Sequence, residues 1–129
     1  MKLVADTNTF MAVALDQPES DWLAAVTEEC SLTAPSVLPY EIGNALSALV
    51  KRRVVTDDQA PLVWDAVQKM PVELVRVDIR TALVLAARFN IYAYDAYFLQ
   101  CALDQRCPLL SLEKRVKRIA VDLQIHLWE

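Results

Sequence analysis

One glycine, Gly43, stands among the 129 residues. That scarcity excludes the Gly-rich phosphate cradles of P-loop and dinucleotide-binding proteins, which need several glycines in one loop. Histidine is as scarce, with His126 alone. It lies in a stretch that reads as a terminal strand, so a nucleophilic triad built on it is not expected. The cysteines are Cys30, Cys101 and Cys107, an odd number without Cys-x-x-Cys spacing. A zinc site or a disulfide framework is therefore not expected, and Cys101 and Cys107 read as small buried hydrophobes. No apolar run, the one over 82–87 included, approaches the length of a membrane span. Asp6 interrupts the apolar residues after Lys2, so no signal-type region follows the first residue. The expectation is a cytoplasmic protein with no membrane attachment. Positive charge is also lacking. At a net charge of −4 there is no global basic field, and nucleic acid would have to be held by a local patch.

What the chain does have is apolar residues, at 55%. That fraction and this length predict one domain over 1–129, with a substantial core and little exposed loop. The chain is organised around its first ten residues. Leu3, Val4 and Ala5 read as a buried strand that stops at a carboxylate, Asp6. Thr7 and Asn8 follow as helix-starting residues. Such a strand belongs in the middle of a parallel sheet, and its C-terminal edge is where open α/β sheets place their chemistry.

Hydrophobic spacing predicts further strands over 31–34, 72–77, 108–110 and 125–128, with Pro35 ending the first of these. It predicts helices over 7–15, 18–29, 36–53, 56–70, 79–89, 94–106 and 112–121. Pro18 fits the first turn of the second, with Trp22, Leu23 and Val26 on one face. Thr56-Asp57-Asp58-Gln59 reads as a capping box and Asp78 as an N-cap. The alternation gives an α/β class: a three-layer α/β/α domain around a mainly parallel sheet of about four to five strands.

Four carboxylates sit in apolar contexts. Asp6 ends the first strand. Glu41 lies mid-helix between Leu38, Ile42 and Ala45. Asp95 lies among aromatics at a helix start. Glu113 follows the strand over 108–110, in the first helical turn. Each has a plainer reading as well: a cap for Asp6 and Asp95, a solvent-edge residue for Glu41, a helix-dipole acid for Glu113. Taken together, three of them sit at strand ends or helix starts able to share one sheet edge, and the Glu41 helix is able to cover that edge. Carboxylates gathered in this way repel one another unless a cation neutralises them. Oxygen ligands without His or Cys suit magnesium or manganese. Such an ion activates water and stabilises phosphoryl charge, so phosphodiester hydrolysis is the natural chemistry.

The motifs Leu-Val-Ala-Asp-Thr-Asn (3–8), Tyr-Glu-Ile-Gly-Asn-Ala-Leu (40–46), Tyr-Asp-Ala-Tyr-Phe-Leu (94–99) and Pro-Leu-Leu-Ser-Leu-Glu (108–113) have an order and spacing that is fairly specific. On them the chain resembles the PIN-domain ribonucleases, in particular the VapC toxins of type II toxin–antitoxin modules. The resemblance covers nearly the whole chain. It implies a metal-dependent endoribonuclease with Asp6, Glu41, Asp95 and Glu113 as catalytic acids. Asp6 and Asp95 would touch the magnesium or manganese ion, and Glu41 would act through water. Asn8 and Ser111 are supporting residues. Glu113 stands where the family usually has aspartate, and its extra methylene carries the carboxylate roughly 1.5 Å outward.

The resemblance also implies an RNA substrate such as a transfer-RNA loop, a homodimer, and a VapB-type antitoxin whose C-terminal segment wraps the toxin. A groove near Phe10, Trp22, Leu46 and Leu49 is the expected receiver. Phosphates would be tracked by Lys51, Arg52 and Arg53, or by Lys114, Arg115, Lys117 and Arg118. Dipole placement on a solvated helix is the plainer account of both clusters. Two rivals remain: a catalytically degenerate module of the same fold that binds a protein or RNA, and a phospho-transfer receiver. The second lacks an acid pair at the first strand, because Asp6 stands alone there.

Overall fold

The computed structural model describes residues 1–15 and 20–128. In chain order the elements are β1 (Lys2–Ala5), α1 (Thr7–Ala14), α2 (Ser20–Glu29), β2 (Ser31–Pro35), α3 (Leu38–Lys51), α4 (Gln59–Gln68), β3 (Val72–Val75), α5 (Ile79–Phe89), α6 (Ala93–Gln105), β4 (Leu109–Leu110) and α7 (Lys114–Asp122). The four strands form one parallel sheet in the order β3-β2-β1-β4. The expected α/β architecture is borne out.

β1 is an interior strand, and Leu3, Val4 and Ala5 are fully buried. A continuous apolar run suits a strand covered on both faces. α6 lies across β1 and β2, with α5 and α7 against it, while α1 to α4 pack on one another. From β1 the chain steps outward to β2 and β3, then crosses back to β4 on the far side of β1. The crossovers therefore leave in opposite directions at the β1–β4 pair. That makes the C-terminal ends of β1 and β4 a topological switch point, the place where open α/β sheets bind their ligands.

Local chemistry accounts for most element ends. Asp6 and Asp78 cap α1 and α5 by accepting the amides of Thr9 and Thr81. Thr56 and Gln59 form the expected capping box: each backbone amide donates to the other's side chain, at 3.0 and 3.2 Å. The helix proper begins at Gln59 rather than at 56, because Asp57 and Asp58 are used in the turn. α3 begins at Leu38, not 36, because the Ser36 amide donates to Val75 O and continues the ladder to β3. Pro35 closes β2 from inside the strand, and β3 stops at Val75. With glycine so scarce, Arg53, Asn90, Arg106 and Gln124 take the left-handed positions with φ of 51–59° that glycine usually fills. Gly43 meanwhile sits inside α3 with open space around it.

Three expectations need correction. The segment over 125–128 is not a strand: Leu127 makes a single parallel bridge to Leu109, since the two-residue β4 offers only one rung. Cys101 is fully buried, but Cys107 only half. Phe10 is 1% exposed and closed into the core, so it does not line a groove, whereas Leu46 borders an open apolar cavity of about 550 Å³ between α3 and α4, with Pro61 and Trp64. Pro18 and the Trp22 and Leu23 side chains lie outside the described residues. No helix among the described residues is long and apolar enough to cross a membrane.

Candidate active site

Asp6 follows the last residue of β1 and Ser111 the last residue of β4, so both stand at the switch point. Asp6 is the N-cap of α1, and its placement at the switch point adds to that role rather than competing with it. Oδ1 accepts the Thr9 amide at 3.1 Å and the Thr9 hydroxyl at 2.9 Å. The Ser111 hydroxyl also hydrogen-bonds Asp6. Burial nonetheless pushes the Asp6 carboxyl above the usual carboxylate range, and Asp95 adds repulsion.

Glu41 reaches the same place from the first turn of α3, not from mid-helix. Burial, then repulsion from Asp95, Asp6 and Glu113, pushes its carboxyl up to about 7. Thr7 lies close enough to ease that shift. Even so, neither Thr7 Oγ1 nor Glu41 Oε2 has a partner in hydrogen-bond geometry, and both atoms are buried. A buried polar atom without a partner is costly and marks a place for a ligand group.

Asp95 is the third residue of α6 and not its N-cap, a position held by Tyr92. Burial raises its pKa and Arg115 lowers it. Glu113 occupies the N-cap position of α7, one residue before the helix, and makes no side-chain cap. Instead Glu113 Oε1 accepts the Asn8 amide at 2.5 Å, and the Glu113 backbone amide donates to Ser111 Oγ at 3.1 Å. The longer side chain is thus held by Asn8, and its pKa is raised by burial and by Asp95 and Asp6.

The four acids named from the sequence therefore share one electrostatic neighbourhood, tied by Ser111 and Asn8. Their donors are all oxygens, which fits a hard divalent cation, and the orphaned Glu41 oxygen fits it as well. Among the described residues no three His, Cys, Asp or Glu side chains form a compact metal-binding group.

The basic residues separate. Lys51 and Arg52 end α3, about 15 Å along the helix from Glu41 at 1.5 Å per residue. There Lys51 suits the helix dipole, as the plainer reading has it. Lys114 and Arg115 open α7, the end where positive charge is disfavoured, so the dipole does not account for them. Arg115 Nη2 donates to the carbonyls of Asn90 at 2.8 Å and Phe89 at 3.3 Å, closing the end of α5. The Lys114 side chain is exposed beside Glu113, and Lys117 is half-buried. Sequence reasoning missed Thr9, and named Thr7 only as a helix-starting residue and Arg115 only as a phosphate contact. The threonine three places after a capping aspartate was the available signal for Thr9. The roles of Thr7 beside Glu41 and of Arg115 at the end of α5 were not legible, because their partners are distant in sequence.

The profile described as "PIN domain" matches residues 3–122. Among curated proteins, "Ribonuclease VapC3" of Pyrobaculum aerophilum is 24% identical over 121 residues, covering 90% of this chain and 92% of that one. Two solved structures share the fold. PAE2754 of Pyrobaculum aerophilum superposes with a TM-score of 0.69 at 17% identity, covering 96% of this chain and 90% of that chain. VapBC2 of Rickettsia felis, bound to a DNA fragment from its promoter, superposes with a TM-score of 0.70 at 14% identity, covering 99% and 98%.

Proposed function

This chain belongs to the PIN-domain family, and on that premise we propose that it is a metal-dependent endoribonuclease, the toxin of a VapBC-type module. The observation that carries the reading is the group of four coupled acids, Asp6, Glu41, Asp95 and Glu113, at the switch point of a parallel sheet. Asp6 and Asp95 would hold a divalent cation, magnesium or manganese. When bound, that ion supplies a lowered pKa to water and a counter-charge for the phosphate.

The remaining residues position and move protons. Thr9 and Ser111 hold Asp6 in one orientation. Asn8 holds Glu113 at the rim. Glu41, whose buried Oε2 has no hydrogen-bond partner, would take the proton from water as the general base. Lys114 and Lys117 offer charge to the RNA backbone just outside the acids.

The VapC-named relative and the VapBC2 complex support a protein antitoxin as partner. The reading also includes a homodimer, one domain over 1–129 and a cytoplasmic location.

The test is cleavage of a mixed small-RNA pool by antitoxin-free protein, with magnesium or manganese and with chelator. Asp95→Asn serves as the inactive control. Cleavage that needs the metal and disappears in the mutant supports the reading. Well-folded protein that cleaves no RNA, across total and transfer-RNA pools, would favour the degenerate binding module instead.

A further inference from the structure

An arginine in the first turn of a helix faces the positive end of the dipole, so the place of Arg115 in α7 has another cause. That cause lies at the end of α5. Asn90 turns there with φ 52°, and the amides of Ile91 and Asn90 donate back to Ala86 O at 3.0 Å and Ala87 O at 3.4 Å. This closes the helix in the usual way and leaves the carbonyls of Phe89 and Asn90 beyond its last bonds. Arg115 Nη2 takes both, at 3.3 and 2.8 Å. Residues 90–92 lead directly into α6, whose third residue is Asp95. On its own side, Arg115 stands two residues after Glu113. The Glu113 amide donates to Ser111 Oγ at 3.1 Å, and Glu113 Oε1 accepts from Asn8. One guanidinium thus joins the segment that carries Ser111 and Glu113 to the turn that delivers Asp95. Its charge acts on the Asp95 carboxyl, yet the two form no ion pair: the ion pair found among the described residues is Lys2 with Glu73. The Asp95 oxygens are therefore not taken up by Arg115.

Resting on the metal-dependent reading above, we propose that Arg115 is a positioning residue of the acidic site: its two carbonyl bonds brace α7 against the α5–α6 turn and so fix Asp95 relative to Glu113 and Ser111. Asp95 and Glu113 repel one another, so the elements that carry them need a tie that does not use the carboxylates themselves. A side chain that orients metal-binding groups from one step away matters to affinity nearly as much as the groups do. Two simpler uses of the same side chain make different demands. A phosphate contact needs a guanidinium turned to the RNA, whereas here Nη2 is committed to the two carbonyls. A bare positive charge beside the acids would oppose a bound cation, so its removal would tighten metal binding. The brace requires the opposite sign, because its removal loosens the geometry that receives the cation.

The experiment is calorimetric titration of antitoxin-free protein with manganese, without RNA. Arg115→Ala should raise the manganese Kd roughly 10- to 100-fold. Arg115→Lys, which keeps the charge and a donor but not the planar fork, should recover part of that loss. Arg80→Ala removes the same charge from an exposed position on α5 and should stay within about twofold of native, since a distant exposed charge is screened. Arg115 is exposed, so its variants should fold, and thermal unfolding in chelator should place them only a few degrees below native. A tie that served stability alone would lower that temperature and leave the manganese affinity of the folded protein unchanged, which would overturn the proposal. Tighter manganese binding by Arg115→Ala would overturn it too, and would leave Arg115 as a bare charge. Native-like manganese binding with a flattened salt dependence of RNA binding, measured on the Asp95→Asn background, would make Arg115 a phosphate contact instead. Should Arg115→Ala not fold, Arg115→Lys carries the test, and native affinity in it would overturn the brace. Native protein that binds manganese alongside any of these results would mean that the brace alone had failed. Native protein that binds neither manganese nor magnesium would remove the metal-dependent reading and the brace together.

Discussion

Replacing Glu41 by glutamine should make the metal-free protein more stable at pH 8 while abolishing cleavage. In the folded state the Glu41 carboxyl is raised from the ordinary 4.5 to about 7. An acid raised in this way binds more protons folded than unfolded between those values. Stability therefore falls as pH rises through that window, and the loss is complete above it. The full linkage is about 3.4 kcal/mol at 1.36 kcal/mol per pH unit. The side chain is partly exposed and solvent screens it, so about 1–2 kcal/mol is the expected share. For a chain of this length that corresponds to a gain of roughly 3–10 °C in Tm. The assay is thermal unfolding of native protein and Glu41→Gln in chelator, at pH 5 and pH 8. The variant should match the native protein at pH 5 and exceed it at pH 8. Magnesium should then stabilise the native protein more than the variant. A variant no more stable at pH 8 than at pH 5, relative to native, would refute the claim that Glu41 is held charged against its surroundings.

Asp6 serves as both cap and site acid, and two substitutions should separate these roles. Asp6→Asn keeps an oxygen for Thr9 and should unfold near the native temperature without cleaving RNA, whereas Asp6→Ala should also lose about 1–2 kcal/mol in denaturant unfolding. Gly43→Ala places a methyl group in open space on α3 and should raise stability by up to about 1 kcal/mol, read as a higher denaturant midpoint. Gln124→Gly removes a side chain from φ 59° and should stabilise by about 0.5–1 kcal/mol in the same assay. Lys114→Ala with Lys117→Ala should weaken RNA binding broadly and flatten its salt dependence by up to about 1.4 in log–log slope. An unchanged slope would count against this patch.

What the chain determines by itself is mostly local. Leu3, Val4 and Ala5 make a buried strand because no polar side chain interrupts them. Asp78 caps α5, and Thr56 with Gln59 caps α4, through contacts three residues apart. The acids were legible too, as carboxylates placed oddly among apolar residues and spaced like a known family. Tertiary structure decided the rest. Asn8 meets Glu113 across 105 positions, and Arg115 meets Asn90 across 25. The segment over 125–128 reads as a strand, yet the two-residue β4 beside it limits the pairing to one bridge. Phe10 and Leu46 are apolar in any reading, but only packing decides whether such residues line a groove or fill the core. Caps and periodicity depend on neighbours along the chain, so sequence carries them. The pKa of Glu41 and the exposure of Tyr40, its neighbour, depend on which distant elements close over each, and only the folded chain sets that.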